Sequence, residues 1–140
     1  MDVAIIYWSG SGNTEAMANL ISKGAEEAGA AVSLKNVSAA TPADVAAADV
    51  VLLGCPSMGD EVLEESEFEP FVESITGSVS GKKMGLFGSY GWGDGQWMRD
   101  WVDRMKGAGA ALIDDGLIVN EAPDGATADA CVALGKKAAF

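Results

Sequence analysis

The 140-residue chain predicts an α/β fold, a doubly wound five-stranded parallel sheet with helices on both faces. Three observations carry the prediction. Short apolar runs recur five times with helix-periodic segments between them, the alternation that a sheet covered on both faces requires. The runs Val3–Trp8 and Asp49–Leu53 are almost unbroken in large apolar residues, as strands buried on both faces are. Loops of glycine, hydroxyl and aromatic residues follow the first, third and fourth strands, so they gather at one edge of the sheet, where ligands of open α/β sheets bind.

The elements follow in order. Val3–Trp8 is a buried strand. Glu15–Ala28 is a helix with Met17, Leu20, Ile21 and Gly24 on one side and Gly29 as its stop. Ala31–Val37 alternates as a strand with one wetter face, and Asp49–Leu53, closed by Gly54-Cys55-Pro56, is a central parallel strand. Phe68, Phe71, Val72 and Ile75 are spaced helically, giving a helix over Phe68–Ile75 before a turn at Gly77–Lys82. Lys83–Gly88 is the fourth strand and ends in Ser89. Trp97–Lys106 is a helix whose stripe is Met98, Trp101, Val102 and Met105; Trp97 and Trp101 are assigned to the core. Leu112-Ile113 and Leu117–Val119 make a last strand interrupted by Asp114-Asp115-Gly116, and Asp124–Ala139 closes as a helix with Cys131, Leu134 and Ala138 inward.

Composition narrows the function. The length suits one domain over residues 1–140, with roughly two thirds of the unfolded surface buried on folding. Cys55 and Cys131 lack metal-ligand spacing and no signal peptide precedes them, so they are expected to be reduced, buried thiols of a cytoplasmic protein. No apolar stretch approaches the ~20 residues of a membrane span. The chain has no histidine, which removes imidazole acid–base chemistry and metal ligation. Its net charge of −12 repels nucleic acid and attracts basic proteins. Asp60, Glu61, Glu64, Glu65, Glu67, Glu69 and Glu73 form a run without a single base, either a solvated helix face or an electrostatic docking surface.

The first loop, Ser9-Gly10-Ser11-Gly12-Asn13-Thr14, combines hydroxyls, glycines and a helix start. Glycines let backbone approach an anion, and the first amides of a helix present free N–H groups and partial positive charge. No Lys follows Gly12, so this is not a Walker A loop. Glu15 stands where a dinucleotide fingerprint has its third glycine, which disfavours NAD. The first base is Lys23, inside the helix. A phosphate here would be held by dipoles and hydrogen bonds; alternatively the loop is a plain turn with Thr14 or Asn13 as N-cap.

The other two loops supply ring-binding chemistry. Ser89-Tyr90-Gly91-Trp92-Gly93-Asp94-Gly95 lifts Trp92 on glycines outside any amphipathic stripe, as a stacking plate or a partner anchor. Met58, in Pro56-Ser57-Met58-Gly59-Asp60-Glu61, offers a polarizable thioether for the other face of a planar ring.

In combination these three motifs resemble the flavodoxins, most similarly the short-chain flavodoxins of clostridia and related anaerobes, from the first strand to the closing helix. Ser11 stands where many members have Thr. Asp114–Gly116 leaves no room for the extra loop of the long-chain branch. The resemblance implies the strand order 2-1-3-4-5 and bound FMN. Its phosphate would lie on Ser9, Gly10, Ser11, Gly12, Asn13 and Thr14. Its ring would lie among Pro56, Ser57, Met58, Gly59, Asp60, Glu61, Ser89, Tyr90, Gly91, Trp92 and Gly93. The Gly59 carbonyl would turn to accept from flavin N5–H in the semiquinone, and Glu61 would accept from N3–H.

The implied function is a low-potential one-electron carrier cycling mainly between semiquinone and hydroquinone, with no catalytic residue and no metal. Negative surroundings disfavour the anionic hydroquinone. Its partners would be ferredoxin-dependent oxidoreductases met through an acidic surface, and the carrier itself a monomer. Two rivals share the topology. An FMN-dependent NAD(P)H:quinone reductase would need a second pocket and bases for a 2′-phosphate. A signalling receiver domain needs acids after strand one and an Asp ending strand three, where Tyr7-Trp8-Ser9 and Gly54-Cys55 stand.

Overall fold

The computed structural model describes residues 1–140. Its strands are β1 (Asp2–Tyr7), β2 (Ala31–Asn36), β3 (Val50–Gly54), β4 (Lys83–Tyr90), β5 (Ala111–Leu112) and β6 (Leu117–Asn120). Its helices are α1 (Asn13–Glu27), α2 (Pro42–Ala47), α3 (Phe68–Ile75), α4 (Gln96–Gly107) and α5 (Ala126–Ala138). The strands are parallel and ordered β2-β1-β3-β4-β5, with β6 also on β4. β5 meets Lys83-Met84 and β6 meets Phe87–Tyr90. The interrupted last strand of the sequence is thus one edge position filled by two short pieces, with Asp114–Gly116 between them.

Side-chain alternation along the central strands divides the interior into two layers. Val3, Ile5 and Tyr7 of β1 pack with Val50, Leu52 and Phe87 under α1 and α5. Ala4, Ile6, Val51, Leu53, Met84 and Leu86 pack on the opposite face under α3 and α4. The stripe Met98, Trp101, Val102 and Met105 is buried, and Trp97 and Trp101 are each 2% exposed, as their spacing predicted. Cys131, Leu134 and Ala138 are buried as the inner face of α5. On α1 the inner face is Met17, Ile21 and Gly24, with Leu20 half-buried at its margin.

α1 and α5 approach more closely than side chains would permit. A Cβ on Gly24 would overlap the Val132 carbonyl, and one on Gly135 would overlap the Ile21 carbonyl. Gly24 was visible as an inward residue; Gly135, its counterpart on α5, was not.

Three local details differ from the sequence prediction. The six-residue helix α2 was not foreseen, although Thr41 and Asp44 form the reciprocal capping box that marks its start and Pro42 follows the cap. β4 runs two residues past Gly88 to Tyr90, because Ser89 and Tyr90 still pair with Val119 and Asn120. The cap of α1 is neither Asn13 nor Thr14 but Gly12, at φ 97°. The left-handed backbone there turns the following N–H groups outward at little steric cost.

Cys55 and Cys131 are free and buried. Burial pushes the thiols up to about 12 and about 11, so both stay protonated and act as small apolar side chains.

Candidate functional site

The carboxyl ends of β1, β3 and β4 deliver the three loops to one cleft of about 330 Å³, lined by Trp8, Gly10, Ser11, Asn13, Pro56, Ser57, Met58, Ser89, Tyr90, Gly91 and Glu121. This volume falls within the ~300–1,000 Å³ of small-molecule sites. No Lys or Arg lines it. A larger open hollow of about 750 Å³ lies at the amino-terminal edge of the sheet beside Lys82 and Lys83, so size alone does not locate the site. Only the carboxyl-edge cleft has glycine loops, a helix start and aromatic side chains together.

Ser9 organises the first loop. Its Oγ accepts from the N–H groups of Gly12 and Glu15, both at 3.2 Å. The N–H groups of Gly10, Ser11, Asn13 and Thr14 meet no acceptor within the protein. Four unsatisfied donors at the start of a 15-residue helix form an anion cradle that needs no basic side chain. Gly12 has open space where a Cβ would stand, so its left-handed φ explains its glycine. Thr14 is turned inward: it is 1% exposed, and its Oγ1 accepts from Ser89 N–H at 3.3 Å.

Ser89 ties the three loops together. Beyond the Thr14 contact, its carbonyl accepts from Ser57 N–H at 3.0 Å and its hydroxyl donates to the Glu121 carbonyl at 2.7 Å. Each bond fixes the loop following a different strand. Cys55 anchors the second loop from below, its carbonyl accepting from Trp97 Nε1–H at 3.1 Å and its sulfur from Glu64 N–H at 3.4 Å.

The second loop is a tight hairpin. Met58 and Val62 exchange backbone hydrogen bonds of 2.9 and 3.1 Å, leaving Gly59-Asp60-Glu61 as a three-residue tip. Gly59 has φ 40° and Glu61 φ 57°, a conformation that glycine adopts freely and glutamate does not. A Cβ on Gly59 would touch nothing. Glu61 Oε1 accepts from Gln96 N–H at 3.2 Å and lies against Gly93. The Glu61 carboxylate therefore bridges the second and third loops and holds the start of α4.

The expected site residues divide by position. Gly10, Ser11, Asn13, Pro56, Ser57, Met58, Ser89, Tyr90 and Gly91 line the cleft. Ser9, Gly12 and Thr14 support the first loop from outside that lining; Gly59, Asp60 and Glu61 form the tip of the second. Trp92, 61% exposed, and Gly93 stand at the rim on the third. Two cleft residues escaped the sequence reading, the side chain of Trp8 and Glu121. Glu121 follows the apolar strand β6, the same signal that marked the other loops; its N–H donates to the Tyr90 carbonyl at 2.9 Å.

The acidic run separates into four roles, the bridge made by Glu61 being the first. Glu64, 7% exposed, accepts from Ser66, Glu67 and Phe68 N–H groups at 2.9, 2.8 and 3.0 Å. Burial alone would raise its pKa, but these hydrogen bonds outweigh it and hold the carboxyl below its ordinary value. Glu69 pairs in bidentate fashion with Arg104 at 2.7 and 2.6 Å. Asp60, Glu65, Glu67 and Glu73 are exposed and make no ion pair.

Fold and cleft together define a class: a doubly wound α/β protein with a carboxyl-edge cleft that no Lys or Arg lines. A sequence model of the family described as Flavodoxin matches residues 5–135. The chain is 56% identical over 135 residues to the flavodoxin of Clostridium beijerinckii, covering 96% of this chain and 97% of the other. It is 51% identical over 137 residues to that of Megasphaera elsdenii, covering 98% of each. The solution structure of two-electron reduced Megasphaera elsdenii flavodoxin superposes with a TM-score of 0.90 over 98% of both chains. The chain belongs to the flavodoxin family, whose members bind FMN, carry single electrons at low potential between redox proteins, and convert no substrate of their own.

The residues present fit FMN. The unpartnered N–H groups of the first loop match a phosphate dianion. The cleft offers Trp8, Met58 and Tyr90 to a planar ring and keeps one buried hydroxyl, Ser57 Oγ, without any partner.

Proposed function

We propose that residues 1–140 act as one domain, a monomeric cytoplasmic carrier that holds FMN with its phosphate on Ser9–Thr14 and its ring between Met58 and Trp92. The observation that carries this assignment is the set of four unsatisfied N–H groups in the first loop, three of them on residues lining a cleft that no Lys or Arg lines. Bound FMN supplies the one-electron chemistry.

The protein's own groups bind, orient and tune. Gly10, Ser11, Asn13 and Thr14 donate N–H groups to the phosphate, joined by the Ser9 and Ser11 hydroxyls. Pro56, Ser57, Tyr90 and Gly91 border the ring, with Gly93 supporting Trp92 beside it. Ser89 holds the three loops in register. At the tip of the second loop, the Gly59 carbonyl would be the acceptor offered to the ring of bound FMN, the Gly59–Asp60 peptide being free to turn for it. The small steric demand at Gly59, with φ 40°, supports that reading. Glu61, with Oε1 on Gln96 N–H, would use its remaining acceptor capacity to hold an N–H of the bound ring.

Electrostatics set the direction of the potential. A net charge of −12 and a cleft without bases disfavour an added negative charge on the ring, and each ~1.4 kcal/mol of repulsion lowers a one-electron potential by about 59 mV. Phosphate binding through dipoles leaves that field unneutralised. The exposed carboxylates Asp60, Glu65, Glu67 and Glu73 form the surface on which a basic redox partner docks. Their lack of ion pairs supports this role.

No helix is long and apolar enough to cross a membrane. The test is stepwise reduction of the FMN-reconstituted chain with visible spectroscopy. One equivalent of FMN should bind and reduce in two separate one-electron steps, with no rapid bleaching by NADH or NADPH. Direct bleaching would favour the reductase reading; failure to bind flavin would remove the carrier reading.

A further inference from the structure

Ser57 carries a hydroxyl that the fold does not use. Its N–H donates to the Ser89 carbonyl at 3.0 Å, which fixes the backbone. Its Oγ is removed from solvent and has no hydrogen-bond partner, although the residue lines the cleft. Burying a hydroxyl unpaired is unfavourable, and alanine would fill the same space without that cost. Nearby polar groups are committed elsewhere: the Ser89 hydroxyl to Glu121, and Thr14 Oγ1 to Ser89 N–H. A serine side chain changes χ1 among three staggered wells, so Oγ can reorient without moving the loop.

We propose that Ser57 Oγ is a flavin-binding hydroxyl, hydrogen-bonded to the ring or ribityl part of the bound cofactor and not to its phosphate. The inference rests on the FMN reading above and deepens it. Ser57 lies between Pro56 and Met58 on the loop after β3, whereas the unsatisfied phosphate donors lie on residues 10–14 after β1. The hydroxyl therefore selects for ligand and against the empty protein: cofactor supplies the partner that the unloaded cleft lacks.

Ser57→Ala separates these effects. The full-length wild-type and variant chains are stripped of flavin, and binding of FMN and of riboflavin, which lacks the phosphate, is measured by fluorescence titration alongside flavin-free melting. The dissociation constants of S57A for both flavins should rise about fivefold, the loss of one hydrogen bond, while the flavin-free variant melts higher than flavin-free wild type. Unchanged affinity for both flavins would overturn the inference, as would a loss confined to FMN, which would put the hydroxyl on the phosphate. A flavin-free variant that melts at or below wild type would show that the hydroxyl has a partner in the empty protein, and would overturn it equally. Wild type that binds neither flavin is a separate result and removes the FMN reading itself.

Discussion

Glu64 is a buried carboxylate that stabilises the protein by capping a helix, and its removal should be costly in a pH-dependent way. Its two oxygens accept from the N–H groups of Ser66, Glu67 and Phe68, and its own carbonyl accepts from Glu69 N–H at 2.8 Å. The side chain thus satisfies donors at the start of the eight-residue helix α3, where a negative charge also complements the helix dipole. Hydrogen bonds to charged groups contribute ~1.5–3 kcal/mol each and are not additive. Glu64→Ala leaves three donors without acceptors and should destabilise by about 3–5 kcal/mol, lowering the melting temperature by roughly 10–15 °C for a chain of this size. Glu64→Gln keeps one acceptor oxygen but sets an NH₂ against N–H donors; about 1.5–3 kcal/mol should be lost.

The pH dependence has a definite sign. The folded carboxyl titrates below its ordinary value and the unfolded one near ~4.3. Its stabilisation is therefore complete above about pH 5 and is lost as pH falls through the folded pKa. Urea unfolding of flavin-free wild type and E64Q, from pH 7 down to pH 3.5, measures this. The free-energy gap should be constant at neutral pH and shrink below about pH 5. A gap under about 0.5 kcal/mol at pH 7, within the range of an ordinary surface substitution, would refute the capping role, as would a gap that does not change with pH.

Four further outcomes are expected. Gly59→Thr places a β-branched residue at φ 40°, a strain of about 1–2 kcal/mol; potentiometry should show the two one-electron potentials moving closer, with FMN affinity less affected. Trp92→Ala should raise the FMN dissociation constant and brighten flavin fluorescence, because stacking both binds and quenches; a wild-type complex as fluorescent as free FMN would remove that assignment. Gly135→Ala forces a methyl against the Ile21 carbonyl and should cost about 1–3 kcal/mol in denaturant titration, without altering the flavin spectrum. Electron delivery to a basic protein partner should slow as salt rises, since charges more than ~10 Å apart are screened at 0.1 M; a salt-independent rate would leave Asp60, Glu65, Glu67 and Glu73 as a solvated face.

The sequence by itself determined the architecture and the gathering of three loops at one edge of the sheet. Periodicity placed the strands and four of the five helices, because burial on both faces leaves a strong apolar signature along β1 and β3 and a clear stripe on α4. The missing lysine after Gly12 and the glycine loop around Trp92 were also local facts, readable without coordinates. Only the tertiary structure decided what each polar side chain does. Ser89 was seen as a loop residue, yet it is the pin between three loops. Glu64 and Glu69 belonged to one acidic run, yet one caps α3 and the other grips Arg104. Glu121 entered the cleft because β6 lies beside β4, a pairing across 30 residues of sequence. Gly12, not Asn13 or Thr14, caps α1, because the backbone there is left-handed, at φ 97°. Local pattern encodes which face a residue shows; hydrogen-bond partners are distant in sequence and are fixed only when the strands register.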